Sequence, residues 1–359
     1  MEQGSHSRNE ILSQGESWSG ALRAVKAPGS RLVEWLAEAR GRGLIFVGCG
    51  STHYLAQFAA AWFQGQTGWR CRGLPSSEVL LQPDSWLTPG ERPAIIALSR
   101  SGETSETIMA VERQARAGCP TLTIGCYRDT PLASAAGLTI AIPEGQEESF
   151  AQTRSFAGML VAVQALGALA MGDAALMGEL EALPALAQGT IASAQPLALA
   201  YGADESLKRI AYLGSGPLYG LANEATVKMK EMSLSLAEGY QFMEFRHGPM
   251  SLVDGEHLVV ALVSDAMRAY EIGVLADLKA RGARILAVAN GTQGLAAVAD
   301  DCFDLQTHLP ERVRPVLYLP ILQLLAYHRA MGRGLNPDRP RNVVMAIRLD
   351  GTGMADNES

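Results

Sequence analysis

The sequence predicts an α/β protein of two similar halves, each a parallel sheet flanked by helices. Three observations carry this. Short apolar runs rich in β-branched residues recur along the chain, as strands buried on both faces require. Longer amphipathic stretches separate them, giving the strand–helix–strand alternation of a parallel sheet. The whole order then returns roughly 165 residues later.

In the first half the strand runs are Leu44–Val47, Ala94–Leu98, Thr121–Ile124 and Leu138–Ile142. Tyr54–Gln66 and Thr104–Ala117 read as the helices between them. In the second half, IAYLGSGPL (210–218) answers LIFVGCGST (44–52), and VVALVS (259–264) answers AIIALS (94–99). RILAVAN (284–290) answers TLTIGC (121–126), and DCFDLQTHLP (301–310) answers AGLTIAIP (136–143). Matches at a nearly constant offset imply an internal duplication rather than a solenoid, whose periods are about 20–50 residues. A helical segment at 150–206, rich in Ala, Leu and Gly, joins the halves, and Pro184 and Pro196 are expected to break it. The expected boundaries are an N-terminal segment 1–30, a first domain 31–185, a second domain 190–350 and a flexible tail 351–359. Residues 1–8 are polar and aperiodic and are expected to fray.

Composition narrows the function. The 359 residues are 48% hydrophobic, enough for buried cores and against disorder. With 37 acidic against 30 basic residues, the net charge of −7 argues against a nucleic-acid surface but leaves room for a small anion site. Five cysteines without a CxxC pair read as reduced thiols. Six scattered histidines show no paired metal spacing, so no metal site is expected. The apolar stretches 158–171 and 316–327 are interrupted by Gln, Gly or Pro and read as buried helices, not membrane spans. The polar start MEQGSHSRNE is neither a signal nor a transit peptide, and a cytoplasmic location is expected.

The sharpest local signal is SRSGETSET (99–107), between a strand and a helix. Free amides at the helix start, its dipole and the hydroxyls of Ser99, Ser101 and Thr104 together make a phosphate cradle, and Gly102 allows close approach. The same residues could simply cap the helix. No lysine follows as in a Walker loop. GCGST (48–52) is a second strand-to-helix turn, and two such loops can converge at a sheet's switch point. The second half carries Ser264-Asp265-Ala266 instead, a poor cradle, so the halves should contribute different chemistry. There, Glu224, Lys228 and Glu231 share one helix face. That spacing fits an exposed salt-bridged stripe, or a carboxylate beside an ammonium poised for proton transfer. His247 precedes Gly-Pro on a turn, as an ordinary loop histidine or as one presented to a site.

In combination, SRSGETSET, GCGST, AQTRSF (151–156), EATVKMKE (224–231), FRHGP (245–249) and NPDRPRNV (336–343) resemble the sugar isomerase (SIS) domains. The pair of domains is similar to the isomerase half of glucosamine-6-phosphate synthase, and FRHGPMSLVD (245–254) also resembles the amino-sugar-phosphate deaminase/isomerases. The resemblance implies two five-stranded parallel sheets, a homodimer and a sugar 6-phosphate ligand, with no cofactor. It assigns Ser99, Arg100, Ser101 and Thr104 to the phosphate loop, and Ser51 and Thr52 to a hydroxyl pair on the sugar phosphate. It makes Glu231 the base between C1 and C2, Lys228 its neighbour, and His247 the ring-opening group supplied by the other subunit. Departures follow too. A glutamine-hydrolysing domain with its N-terminal cysteine is not expected. Met345 stands where the synthase has its imine-forming lysine, and a thioether cannot form an imine. Gln152 replaces a sugar-contacting serine.

The expected function is therefore an amino-sugar-6-phosphate deaminase/isomerase. A fructosamine-6-phosphate deglycase uses the same loop and base. A non-catalytic sugar-phosphate sensor is the alternative of another class, against which stand Glu231, His247 and the absence of a basic stretch.

Overall fold

The computed structural model describes residues 2–349. The chain divides into two compact units. The first holds 13–185 together with 342–349, and the second holds 186–341 together with 2–12.

Helix α1 (Ser5–Leu12) thus belongs to the second unit. The first unit follows as α2 (Gln14–Lys26), α3 (Ser30–Ala39), β1 (Leu44–Gly48), α4 (Ser51–Thr67), β2 (Cys71–Pro75), α5 (Ser76–Leu81), β3 (Ala94–Ser99), α6 (Ser105–Arg116), β4 (Thr121–Gly125), α7 (Pro131–Ala135), β5 (Leu138–Ala141), α8 (Arg154–Met171) and α9 (Ala174–Glu181). The second runs α10 (Leu183–Ala203), β6 (Arg209–Gly214), α11 (Leu218–Ser233), β7 (Leu236–Gln241), β8 (His257–Leu262), α12 (Arg268–Lys279), β9 (Arg284–Ala289), β10 (Asp301–Asp304) and α13 (Leu319–Gly332).

Each unit has one five-stranded parallel sheet, ordered β2-β1-β3-β4-β5 and β7-β6-β8-β9-β10. The two orders are the same, as a duplication requires. Glycines repeat with them. Gly48 and Gly214 close β1 and β6, and a Cβ on either would meet the carbonyl oxygen four residues on, at 2.5 and 2.4 Å. Gly50 and Gly216 take the same left-handed turn, with φ of 56° and 53°. Both pairs lie 166 residues apart.

Strands β1, β3, β4 and β8 are buried at every position, and so read as unbroken apolar runs. Strands β2 and β7 were not expected. They lie at sheet edges, where one face meets solvent, and their sequences CRGLP and LAEGYQ carry no apolar run. Helix α8 is buried at every position from Ser155 to Ala168 and packs on α2 and α4. It is long and apolar enough to cross a membrane, but 78% of it is buried inside the fold, as for a core helix.

Several expectations about the ends and the linker are corrected. The expected N-terminal segment 1–30 is not separate over its described residues 2–30, and residues 5–8 do not fray. Helix α2 buries Trp18, Ala21, Leu22 and Val25, an i, i+3, i+4, i+7 stripe, against the first unit. Helix α1 buries only Ile11 among apolar side chains, so polar anchors hold it. Asp338 accepts the Ser7 N–H at 2.7 Å, the Ser7 hydroxyl at 2.8 Å and the His6 N–H at 3.3 Å. Nor does the second half run to 350, because 342–349 joins the first unit. The expected flexible tail 351–359 lies outside the described residues.

Pro184 marks a break as expected, since α9 ends at Glu181 and α10 opens at Leu183. It sits in the first turn of α10, where its missing N–H costs nothing. Pro196 breaks no helix. It lies within α10, held on both sides by the buried Ile191, Ala194, Ala198 and Tyr201. Another break lies earlier, where Gly172 ends α8 in the left-handed conformation and the Asp173 side chain caps α9 by accepting the Leu176 N–H.

Asp338→Ala removes every one of these anchors from α1. The expected outcome is a loss of about 1–3 kcal/mol in urea unfolding and faster amide exchange across α1. Unchanged exchange there would show that Asp338 does not hold the helix.

Candidate functional site

In a sheet of order 2-1-3-4-5 the chain leaves β1 toward one side while β3 lies on the other. The loops after these two strands part and leave a crevice at their carboxyl ends. In the first unit those loops are 48–52 and 99–104.

The 48–52 loop is tight. The Thr52 hydroxyl donates to the Cys49 carbonyl (2.9 Å) and accepts the Cys49 N–H (3.0 Å). Ser51 and Thr52 are nearly buried and open α4. In the 99–104 loop, Ser99 Oγ accepts the Gly102 N–H (3.1 Å) and Ser101 Oγ accepts the Glu103 N–H (3.2 Å). Gly102 has φ 68°, and a Cβ there would come within 2.3 Å of Thr130 Oγ1, so only glycine fits. Thr104 is the N-cap of α6 but its hydroxyl caps nothing. The N–H groups of Ser101 and Thr104 meet no acceptor among the described residues. Hydroxyls and free amides at a helix start, beside a second hydroxyl loop, form a small oxyanion cradle.

Arg100 does not enter this cradle. Its guanidinium turns inward to Glu147 (3.2 Å) and the Ser149 carbonyl (3.0 Å), with both charged side chains essentially buried. Glu147 is the group that sequence reasoning missed. Its carboxylate also accepts the N–H groups of Thr153 (2.7 Å) and Ser155 (3.1 Å) and the hydroxyls of Thr153 (3.0 Å) and Ser155 (2.6 Å). It therefore joins the loop after β3 to the start of α8. Gln152 lies within the segment so held. Its amide oxygen is shielded from solvent and accepts no hydrogen bond.

The stretch 342–349 reaches the same loop. The Ser105 N–H donates to the Ile347 carbonyl (3.1 Å), the Leu349 N–H donates to Ser105 Oγ (2.9 Å), and Arg348 pairs with Glu103. Met345 is on this stretch, 37% exposed.

The second unit brings Lys228 and Glu231 together on α11. The Lys228 ammonium, 2% exposed, lies 2.5 Å from Glu231 and 3.6 Å from Glu224. Glu224 is buried with it, whereas Glu231 is 25% exposed. This is no solvated stripe. A buried cation is held by two carboxylates, one of which faces out. His247 is exposed at the end of a short 3-10 turn, ahead of Gly248 at φ 123°. Among the described residues, no group of three or more His, Cys, Asp or Glu side chains is placed to share a metal ion.

A family model described as the SIS domain matches residues 36–169 and 205–329. The chain belongs to the SIS family. Each match falls within one of the two units. Among curated relatives of this SIS protein, a glutamine–fructose-6-phosphate aminotransferase (isomerizing) of Methanothermobacter thermautotrophicus is 28% identical over 312 residues, 86% of this chain and 52% of the relative. The protein of that name from Streptococcus pyogenes is 30% identical over 272 residues, 72% of this chain and 44% of the relative. The chain thus spans about half the length of the curated relatives it matches. Among solved structures, a tagatose-6-phosphate ketose/aldose isomerase from Escherichia coli superposes with TM-score 0.86 at 26% identity, covering 95% of this chain and 97% of that one. A glucosamine-6-phosphate deaminase from Thermotoga maritima shares the fold at TM-score 0.71 and 24% identity, covering 91% and 99%.

Glu147 stands outside the quoted motifs, four residues before AQTRSF. Its one signal was an acid ahead of a Thr-Arg-Ser helix start, easily read as a surface charge. Removing it leaves Arg100 buried without its counter-charge. Glu147→Ala is expected to cost about 3–5 kcal/mol in denaturant unfolding, and Glu147→Gln less, since an amide oxygen still accepts from α8. A loss under about 1 kcal/mol for the alanine variant would contradict this role.

Proposed function

We propose that this SIS protein is a phosphosugar isomerase of the amino-sugar-6-phosphate deaminase/isomerase type, acting in the cytoplasm as a homodimer. The observation that carries the proposal is Glu231, a partly exposed carboxylate held 2.5 Å from a buried ammonium. A base that abstracts a carbon-bound proton must be accessible yet fixed, and the Lys228 contact fixes it. The open cradle at 99–104 supports a phosphorylated substrate. A phosphate bound there supplies binding energy remote from the reacting carbons. The isomerase and deaminase named above support the same reading. All five cysteines are free thiols, which fits a reducing compartment.

The residues then divide the chemistry. His247 assists ring opening of the 2-amino sugar by proton transfer, from the partner subunit. Glu231 takes the C2 proton and returns it to C1, leaving an imine at C2. Water adds to that imine and ammonia leaves, so one water is consumed for each ammonia and ketose 6-phosphate formed. Lys228 stabilises the oxygen that gains charge during enolisation. No enzyme amine is consumed, so the thioether of Met345 does not block the route.

Incubation with glucosamine 6-phosphate or galactosamine 6-phosphate, without glutamine, should release ammonia and ketose phosphate in equal amounts from one of them. Glu231→Gln should lower kcat by about 10²–10⁴-fold while sugar-phosphate binding persists. Glucose 6-phosphate released from a fructosamine 6-phosphate instead would move the assignment to deglycation. Binding without turnover of any of these would make the protein a sensor.

A shared site has its own test. Mixing His247→Ala and Glu231→Gln subunits should restore part of the activity that each variant lacks. A verified heterodimer without recovery would place His247 outside the reaction.

A further inference from the structure

The second unit has its own switch-point crevice, between the loops after β6 and β8, and it is already filled. The loop after β8 matches the 99–104 loop in length. Strand β3 ends at Ser99 and α6 is capped by Thr104; β8 ends at Leu262 and α12 is capped by Met267. Glu271 stands for Thr107: α12 buries Glu271, Val274, Leu275 and Leu278 where α6 buries Thr107, Ala110, Val111 and Gln114. The short Thr107 hydroxyl turns to Ser76 Oγ (2.9 Å) and Cys49 Sγ (3.5 Å) and, among the described residues, makes no hydrogen bond to the 99–104 loop. The longer Glu271 side chain reaches the loop after its strand.

Its side chain is 1% exposed. The Ser264 N–H donates to Oε2 (2.8 Å), while the hydroxyls of Ser264 (3.1 Å) and Ser215 (2.6 Å) donate to Oε1. Ser215 belongs to the loop after β6, so both switch-point loops send donors to one anion. Ser264 Oγ is aimed by the Met267 N–H, which it accepts at 3.0 Å. Arg314, 2% exposed, pairs with Asp265 on the same loop. Burial pushes the Glu271 carboxyl above its ordinary range, against the hydrogen bonds that hold the ionised form.

We propose that the second unit retains an oxyanion cradle for a phosphate group and that Glu271 is its built-in occupant, so that each chain takes one sugar phosphate, in the first unit. Two hydroxyls and an amide at a helix start bind carboxylate and phosphate oxygens alike. Shortening Glu271 to alanine leaves these donors unpaired around a space the size of the lost carboxylate. This rests on reading the 99–104 loop as a phosphate site, but its test is a difference between proteins.

Inorganic phosphate is titrated calorimetrically into the full chain and into Glu271→Ala. The variant is expected to bind one more phosphate per chain than the wild type. Adding Ser215→Ala and Ser264→Ala should remove that site, and Glu271→Gln should gain none, because its amide keeps the cradle filled. A folded Glu271→Ala with wild-type stoichiometry overturns the proposal. Should this variant unfold in phosphate-free buffer, recovery of its structure in phosphate supports the proposal, and an unfolded chain in both buffers overturns it. A wild type that binds no phosphate overturns the reading of the 99–104 loop alone, since the gain in Glu271→Ala still decides the role of Glu271.

Discussion

The carboxylate of Glu147 is the constraint on which the first unit's site depends. It sits between a buried guanidinium and the start of the helix that fills the unit's core. Arg100 brings charge into a dry region, which is costly unless every polar partner is supplied. Glu147 neutralises it and the Ser149 carbonyl accepts from the same guanidinium nitrogen, while Arg100 Nε meets no acceptor among the described residues; Thr153 and Ser155 donate to Glu147 in turn. The loop after β3 is therefore held from beneath. From above, the Ser99 and Ser101 hydroxyls brace the same loop by accepting the Gly102 and Glu103 N–H groups.

The two units show one scaffold used in opposite ways. They share strand order and the glycines that let a helix start close behind the first strand. They differ in what lies at the switch point. In the first unit a threonine stops short of the loop after β3; in the second a glutamate reaches the loop after β8 and accepts from it. Pro217, which has no N–H, stands where the first unit has Ser51. On α11 the second unit instead holds a buried lysine against a partly exposed acid.

Much of this was legible in the sequence, for a physical reason. Strands buried on both faces must be apolar throughout, so the inner strands of both sheets stood out, and their order revealed the duplication. Edge strands obey no such rule, and CRGLP and LAEGYQ passed unnoticed. The hydroxyl-rich loops were readable because cap and cradle use the same residues. The direction of Arg100 was not, since a cation among serines looks like a phosphate ligand until a carboxylate 47 residues away is seen to claim it. Residues 5–12 were misread because their anchor is one aspartate 331 residues on, which no local periodicity can announce.

That long-range anchor bears on how the chain is made. Neither unit is a continuous stretch of polypeptide: the second takes its first helix from ahead of 13–185, and the first takes 342–349 from beyond 186–341. On the ribosome, α1 must wait for the 331 residues that separate Ser7 from Asp338. The first unit can assemble its sheet early, but the strand of chain that bonds to Ser105, at the start of α6, arrives only after the second unit's 186–341. Each unit is therefore finished only after the other has been translated, and the two halves of this duplicated protein mature together rather than in sequence.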